Sequence, residues 1–301
     1  ILIGVEARLA KTDAVIAATI IAAMGAMARL ALQPGRGGKR EAAVFWTALA
    51  LGILVKGPIT PMVPLFAGIA LAVRDRAAPW FWRLRPALGL LWCVAIAAPW
   101  IVAILLKTKG QFLQDSVGQD MLGKVASGKE AHGAPPGTYL AAFWATAWPL
   151  APFVGLAIPF VWRSRREAAT AFLLAWLIPS WLVFEATPTK LPHYVLPLYP
   201  ALAILVGLAM ARFEEATRGV WAGLMRVWLA AVPVVVVAGA IGAAAYYGTL
   251  ADGALSLSGA VGAALAAAAI ALAVSAALRL KEEDATGAAL RAVAASAALT
   301  A

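Results

Sequence analysis

The chain has 301 residues, of which 63% are hydrophobic and 13% are charged. This balance excludes an ordinary soluble domain, in which apolar residues make up about 45–50%. Its net charge of +10 raises the question of a nucleic-acid partner, and its single cysteine, Cys93, excludes an intrachain disulfide. Because the sequence begins with Ile1 rather than Met, we expect it to be an internal segment of a longer protein.

Apolar runs that suit a bilayer crossing, which takes about 20 residues, recur along the whole chain. A single helix over residues 42–73 would be about 48 Å long, which is too long to span comfortably, so we expect a tight hairpin broken at Lys56-Gly57-Pro58. The sequence therefore predicts an all-α, polytopic bundle of about nine spans, with a possible tenth span beginning near Ala292. The predicted spans are Ala14–Leu32, Ala42–Val55, Ile59–Val73, Pro86–Leu106, Thr138–Trp162, Ala168–Phe184, Tyr194–Ala211, Val227–Tyr247 and Leu255–Leu278.

The basic residues are distributed unequally between the two sides of this predicted bundle. Counting Lys and Arg by loop places 17 on one side and eight on the other, which accounts for all 25. By the positive-inside rule the side with 17 is cytoplasmic. The positive charge therefore reflects membrane orientation, and we predict no nucleic-acid partner.

Acidic residues and one lysine stand out near the predicted external ends of the first spans. Glu6 and Asp13 are seven residues apart, so on a continuous helix they share a face. This pair could take part in proton transfer, bind sugar hydroxyls or ligate a divalent cation, or it could simply be a solvated helix end. Lys56 lies between two apolar runs, where it is either a snorkelling side chain or a point charge for a phosphate.

A long external loop covers residues 107–137. Apolar residues recur in it at near-helical spacing, which predicts an amphipathic helix lying on the membrane surface. Glu130 and His132 lie in the same loop. They are candidate ligands for a divalent metal, although two residues are too few for a complete ligand set. No other cofactor is predicted.

The segment Thr187–Leu205, with the sequence TPTKLPHYVLPLYPALAIL, places polar groups at the mouth of an apolar run. Lys190, His193 and Tyr194 combine a cation, an imidazole and a phenol at one membrane boundary. Such groups could hold the phosphate of a lipid carrier, or they could be interfacial anchors, for which Tyr and Lys are common.

Four of these segments together resemble the bacterial glycosyltransferase family 39, which includes aminoarabinose transferases and relatives of protein O-mannosyltransferases. The resemblance covers roughly residues 1–210, and its most specific part is KLPxY opening a span. The four segments are EARLAKTDA (Glu6–Ala14), LGILVKGPITPMVP (Leu51–Pro64), HGAPPGTYLAAFWATAWPLAPF (His132–Phe153) and TKLPHYVLPLYPALAIL.

The resemblance implies a GT-C type membrane fold and transfer of a hexosyl or pentosyl group from a polyprenyl-phosphate donor. It also implies an acceptor on the periplasmic face of the bacterial inner membrane, which would be a lipid A-like glycolipid, a polysaccharide or a protein. Lys56, Lys190, His193 and Tyr194 would bind the donor phosphate. Asp13, with Glu6, would support catalysis, and His132 would match a histidine of the external loop, where a structural or metal-binding role is expected.

One element of the family pattern is absent. The family's proposed base follows its first transmembrane helix, in a loop that would precede Ile1. We therefore expect residues 1–211 to form a catalytic region that cannot transfer sugar by itself, and residues 212–301 to form further, generic transmembrane helices.

Two other function classes share some of these features. A lipid or small-molecule transporter, including a flippase, also has kinked spans and intramembrane polar groups, but its binding site lies near the bilayer midplane. The predicted polar groups collect at one boundary instead, which favours the transferase. A structural subunit would not explain so many polar residues on one face.

Overall fold

The computed structural model of the chain describes residues 12–33, 35, 38–76, 78–113, 134–210, 219–246 and 257–300. Within these ranges every regular element is helical, which confirms the predicted all-α class. A 3-10 helix at Pro192–Leu198 precedes α10. The α-helices are α1 (Thr12–Leu32), α2 (Lys39–Lys56), α3 (Ile59–Asp75), α4 (Pro79–Arg83), α5 (Pro86–Thr108), α6 (Gln111–Leu113), α7 (Thr138–Thr146), α8 (Leu150–Ser164), α9 (Ala168–Ala186), α10 (Tyr199–Met210), α11 (Gly219–Tyr246), α12 (Leu257–Lys281) and α13 (Ala285–Thr300).

Six stretches of helix in the described part of the chain are long and apolar enough to cross a membrane. They lie in α1, α5, α9, the 3-10 helix joined to α10, α11 and α12, whereas α8 and α13 are shorter apolar helices. The chain is thus a multi-pass membrane protein. The predicted count of nine spans is not confirmed, because α2 carries charges at both ends and α3 has only 17 residues.

The break between α2 and α3 falls where the sequence predicts it. Gly57 has φ of +68°, and its N–H donates to the carbonyl of Ile53 over 2.8 Å. This backbone conformation favours glycine, and Pro58 follows with no N–H to continue the helix. The chain therefore begins a new helix at Ile59.

The prediction of one continuous span at Thr138–Trp162 is wrong. Helix α7 ends at Thr146 and α8 begins at Leu150, with a turn between them. Pro149 lacks the N–H that a continuous helix requires, and a proline disfavours helical geometry at the residue before it. Pro149 therefore divides the predicted span into two helices.

The first of two compact units comprises Glu6–Ala142 and Ser164–Leu202. Its core includes one face of α1, on which apolar residues recur at intervals of three or four. The side chains of Ile16, Ile20, Met24, Met27 and Leu30 are at most 2% exposed. This face explains why α1, although predominantly apolar, has one defined orientation against α2.

The second unit comprises Phe143–Arg163 and Ala203–Ala301. Its helices α12 and α13 pack against each other through alanines at helical spacing, which allow two backbones to approach closely in a membrane. Fully buried members are Ala269, Ala273, Ala276, Ala288, Ala292 and Ala295. The predicted functional division at residue 211 stays a prediction.

Candidate functional site

Asp13 lies in the first turn of α1, with its side chain only 11% exposed. A carboxylate at this position is stabilised by the partial positive charge of a helix N-terminus. Lys56 is the last residue of α2, where the dipole favours a cation. Both side chains thus stand at helix ends that suit their charge.

The structure brings these two residues together although 43 positions separate them. The Nζ of Lys56 donates to Oδ1 of Asp13 over 2.5 Å, and the Lys56 side chain is 27% exposed. An ammonium carries three N–H donors. One is directed at Asp13, so Lys56 keeps donor capacity and access for a further anionic partner.

His193 and Tyr194 complete the cluster from the 3-10 helix Pro192–Leu198. The Nε2 of His193 lies 3.6 Å from Oδ2 of Asp13, and its ring contacts the Tyr194 ring edge-to-face with centroids 5.1 Å apart. The Nζ of Lys56 lies over the Tyr194 ring, 5.3 Å from its centroid. These four residues, Asp13, Lys56, His193 and Tyr194, are called the polar cluster below.

The polar cluster has a consistent electrostatic arrangement. Asp13 presents one carboxylate oxygen to Lys56 and the other to His193. A carboxylate so placed orients both basic groups. The Tyr194 ring face adds a favourable contact for the ammonium. The arrangement can therefore present positive charge and donors to an anion.

Lys190 lies differently from the other candidates. Its side chain is buried, and its Nζ donates to the carbonyls of Ala134 over 2.9 Å and Thr187 over 2.7 Å. Ala134 N–H in turn donates to the carbonyl of Pro188. Lys190 therefore links the segment of residues 187–190 to the segment around Ala134 through hydrogen bonds.

Two functional candidates, Glu185 and Tyr139, were missed by the sequence reasoning. The Glu185 carboxylate accepts the N–H groups of Gly137 and Leu140, each over 2.8 Å. It thereby caps α7, whose own first turn contains no acid. The hydroxyl of Tyr139 accepts the N–H of Leu191 over 3.1 Å, next to the segment that carries His193.

The sequence indicates the start of α7 but not the residue that caps it. Gly137-Thr138 resembles a helix start, but the capping carboxylate comes from a residue 48 positions away, which no local pattern identifies. We call Glu185, Tyr139 and Lys190 the latch, because all three contact the segments 134–140 and 185–191.

Three predicted site residues, Glu6, Glu130 and His132, lie outside the described residues, as does most of the predicted amphipathic helix of the 107–137 loop. Among the residues that are described, no group of three or more His, Cys, Asp or Glu could hold a metal ion. The metal-binding roles of Glu130 and His132 stay predictions.

Sequence comparisons connect the chain with transferases of lipid-linked sugars. No family model matches it. It is 32% identical over 190 residues to undecaprenyl phosphate-alpha-4-amino-4-deoxy-L-arabinose arabinosyl transferase 2 of Pseudomonas fluorescens strain Pf0-1. This match covers 60% of this chain and 33% of that protein. The corresponding transferase of Pseudomonas aeruginosa PAO1 is 25% identical over 183 residues, covering 58% of this chain and 32% of the relative. The matched region is thus about a third of these relatives.

Structural comparison identifies the fold. A crystal structure of ArnT from Cupriavidus metallidurans bound to undecaprenyl phosphate matches with a TM-score of 0.69 and 18% identity, over 96% of this chain and 52% of that one. The apo structure of the same protein matches with a TM-score of 0.70 and 17% identity. The predicted GT-C type of fold is thereby confirmed, and the chain spans about half the length of these solved structures.

Proposed function

We propose that this chain carries the donor-binding region of a family 39 membrane glycosyltransferase. The enzyme would move a sugar from a polyprenyl-phosphate donor to an acceptor on the periplasmic face of the inner membrane. The observation that carries the proposal is the polar cluster, in which residues from three distant segments meet at helix ends. The relatives named above, which are transferases of a sugar linked to undecaprenyl phosphate, agree with it.

The donor phosphate would bind beside Lys56, His193 and Tyr194. Lys56 supplies an ammonium held in place by Asp13, His193 supplies an imidazole N–H, and Tyr194 supplies a phenol. The negative charge of Asp13 would repel the phosphate. Its contribution is therefore to position Lys56 and His193. The partial exposure of Lys56, 27%, leaves the ammonium within reach of a ligand.

The chemistry follows from this placement. The acceptor oxygen forms a bond to the anomeric carbon while the bond from that carbon to the donor phosphate oxygen breaks. The phosphate leaves with an additional negative charge, which preorganised cations stabilise in the transition state. The acceptor hydroxyl loses its proton to a carboxylate base, while Asp13 holds Lys56 and His193 in position at the same face.

Lys190 takes a supporting role in this proposal. A direct contact with the donor phosphate, as the sequence predicted, requires its ammonium to leave the carbonyls of Ala134 and Thr187. We propose instead that Lys190 positions the segment that carries His193 and Tyr194, and that a phosphate contact is made only if the latch opens.

The alternative, a lipid flippase, is less consistent with the geometry. Asp13 opens α1, Lys56 closes α2, and His193 and Tyr194 open the 3-10 helix. Charged side chains at helix ends lie near a membrane boundary, whereas a transporter places its site near the midplane. Movement of labelled lipid across the bilayer by this chain would favour the alternative.

Binding of undecaprenyl phosphate, compared with undecaprenol, tests the proposal because the two lipids differ only in the phosphate. For the purified chain we expect a preference for the phosphate form, reduced about tenfold or more in Lys56→Met, since hydrogen bonds to charged groups contribute roughly 1.5–3 kcal/mol. Tyr194→Phe retains the ring over Lys56 and isolates the hydroxyl. Lys107→Met, which removes another cation of the same predicted face, is the matched control. Equal binding of both lipids would contradict the proposal.

A further inference from the structure

Helices α2 and α5 enclose a crevice near the start of α2, the end opposite to the polar cluster. This crevice of about 560 Å³ lies between these two packed helices. Its lining is apolar apart from two cations at one end. Among the lining residues are Lys39, Trp46, Arg85, Leu88, Leu91 and Trp92.

The walls of this crevice are held in place by hydrogen bonds. The Nε1 of Trp46 donates to the carbonyl of Leu84 over 2.7 Å, and the Nε1 of Trp92 donates to Oγ1 of Thr47 over 2.9 Å. Both indole N–H groups are therefore satisfied within the protein. The rings present apolar surface to the crevice, as an acyl chain requires.

The two cations occupy equivalent positions on the two helices. Lys39 is the first residue of α2, and Arg85 is the residue directly before α5. Both helices thus begin at the same end of the crevice, where their dipoles add to the positive charge. Both side chains are exposed, and both belong to the predicted cytoplasmic side.

Neither cation is neutralised by a carboxylate within the described part of the chain. The acid nearest in sequence to Lys39 is Glu41, and its carboxylate is engaged elsewhere. One oxygen accepts the N–H of Gly38 over 2.6 Å, and the other lies 3.3 Å from Nε of Arg29. The positive charge of Lys39 and Arg85 is therefore available to an external anion.

The shape below the cations fits a hydrocarbon chain. From Arg85 to Ala95, which also lines the crevice, α5 advances ten residues, or about 15 Å at 1.5 Å per residue. Leu88, Leu91 and Trp92 follow one another along this path, and each is more than half exposed. The crevice thus combines an anion-binding end with a lipid-facing apolar channel.

We infer that this crevice binds an anionic phospholipid of the cytoplasmic leaflet, with its phosphate between Lys39 and Arg85 and an acyl chain along α5. Basic pockets between transmembrane helices on the cytoplasmic side suit such head groups. Lys39 and Lys56 stand at opposite ends of α2, about 25 Å apart at 1.5 Å per residue. The lipid site is therefore separate from the proposed donor site and does not depend on it.

Native mass spectrometry of the 301-residue chain, with phosphatidylglycerol and phosphatidylcholine of the same acyl chains, tests this inference. We expect phosphatidylglycerol to be retained preferentially, and Lys39→Gln combined with Arg85→Gln to reduce that preference on the order of tenfold, given the contribution of each cation near a membrane surface. Lys281→Gln combined with Arg291→Gln removes two cations of the same predicted side that do not line the crevice, and it should leave the preference unchanged. Circular dichroism of each variant confirms that the helices remain folded.

The inference is overturned if the unaltered chain retains both lipids equally, or if the crevice variant keeps the preference. It is also overturned if undecaprenyl phosphate, and not phosphatidylglycerol, is the lipid whose binding depends on Lys39 and Arg85. Since Leu88 lines the channel, Leu88→Trp should reduce retention of phosphatidylglycerol while leaving both cations in place. Unchanged retention in that variant would exclude an acyl chain from the crevice.

Discussion

Among single residues, the ion pair of Asp13 and Lys56 is the contact on which the proposed site depends most. Removing Lys56 leaves a carboxylate that is only 11% exposed without its lysine partner, with His193 still beside its other oxygen. Breaking a buried ion pair costs roughly 3–5 kcal/mol, and the partial exposure of Lys56 lowers the expected cost of Lys56→Met to about 2 kcal/mol. A denaturant titration of the purified protein measures this free energy of unfolding.

Asp75→Asn provides the matched control, because its partner Arg74 forms an ion pair in which both side chains are about 40% exposed. Such surface pairs contribute about 0–1 kcal/mol. Asp13→Asn combined with Lys56→Met should be less destabilised than the sum of the single variants, as expected for residues in contact. Additive effects would show that the two charges are not coupled.

The sequence suggested Lys56, His193 and Tyr194 as candidates because polar groups beside apolar runs are costly in a membrane, and Asp13 because it shares a helix face with Glu6. It could not predict that Asp13 pairs with Lys56, since the two lie 43 residues apart and meet only through helix packing. The contacts of Lys190 with backbone carbonyls also arise from tertiary packing, so they could not be predicted from the sequence either. The types of residue in a sequence indicate candidate site residues, whereas tertiary contacts determine which of them share a site.

At the scale of helices, the cap on α7 has a measurable contribution. Glu185 accepts two backbone N–H groups, and a glutamine offers only one carbonyl oxygen in its place. We expect Glu185→Gln to lower the free energy of unfolding by about 1–3 kcal/mol, the cost of an unsatisfied buried group.

Glu167→Gln is the corresponding control. Glu167 also stands at a helix start, but its side chain makes no capping hydrogen bond. Its substitution should change stability by less than about 0.5 kcal/mol. If the two variants are equally stable, Glu185 does not act as the cap of α7.

The close packing of Trp46 of α2 against α5 requires a glycine at position 89. A Cβ added at Gly89 would lie 1.8 Å from Nε1 of Trp46, which cannot be accommodated without moving the indole from the carbonyl of Leu84. Gly89→Ala should therefore destabilise the protein by about 1–3 kcal/mol, as overpacking does.

Gly25→Ala tests whether that cost is specific to Gly89. Gly25 lies within α1 with no atom within 4 Å of the added Cβ. There the substitution should be neutral or stabilising by up to about 1 kcal/mol, because alanine is the better helix former. A destabilisation of Gly25→Ala equal to that of Gly89→Ala would indicate a general intolerance of alanine in these helices.

At the scale of elements, apolar runs and proline positions predicted most helices, including the break at Gly57-Pro58. They did not predict that α11 begins at Gly219, eight residues before the expected start at Val227. Nor did they predict the division of α7 from α8. Hydrophobicity locates membrane segments well, but a proline can either kink a helix or end it, and the surrounding packing determines which occurs.

For the whole molecule, the distribution of Lys and Arg predicts membrane orientation. In a Cys93→Ala background, a cysteine replacing Lys107 should react with an impermeant maleimide from the periplasmic side. A cysteine replacing Glu167 should react only after the membrane is permeabilised. The reverse pattern would place the polar cluster on the cytoplasmic side and contradict the proposed function.

The most direct measurement is sugar transfer in proteoliposomes of the full-length protein. Undecaprenyl phosphate carrying labelled 4-amino-4-deoxy-L-arabinose, the sugar in the relatives' names, is the first donor to test. We expect transfer to an added glycolipid acceptor, and we expect it to be lost in Lys56→Met and kept in Lys107→Met. Transfer unaffected by Lys56→Met, or labelled lipid crossing the bilayer without any transfer, would contradict the proposed function.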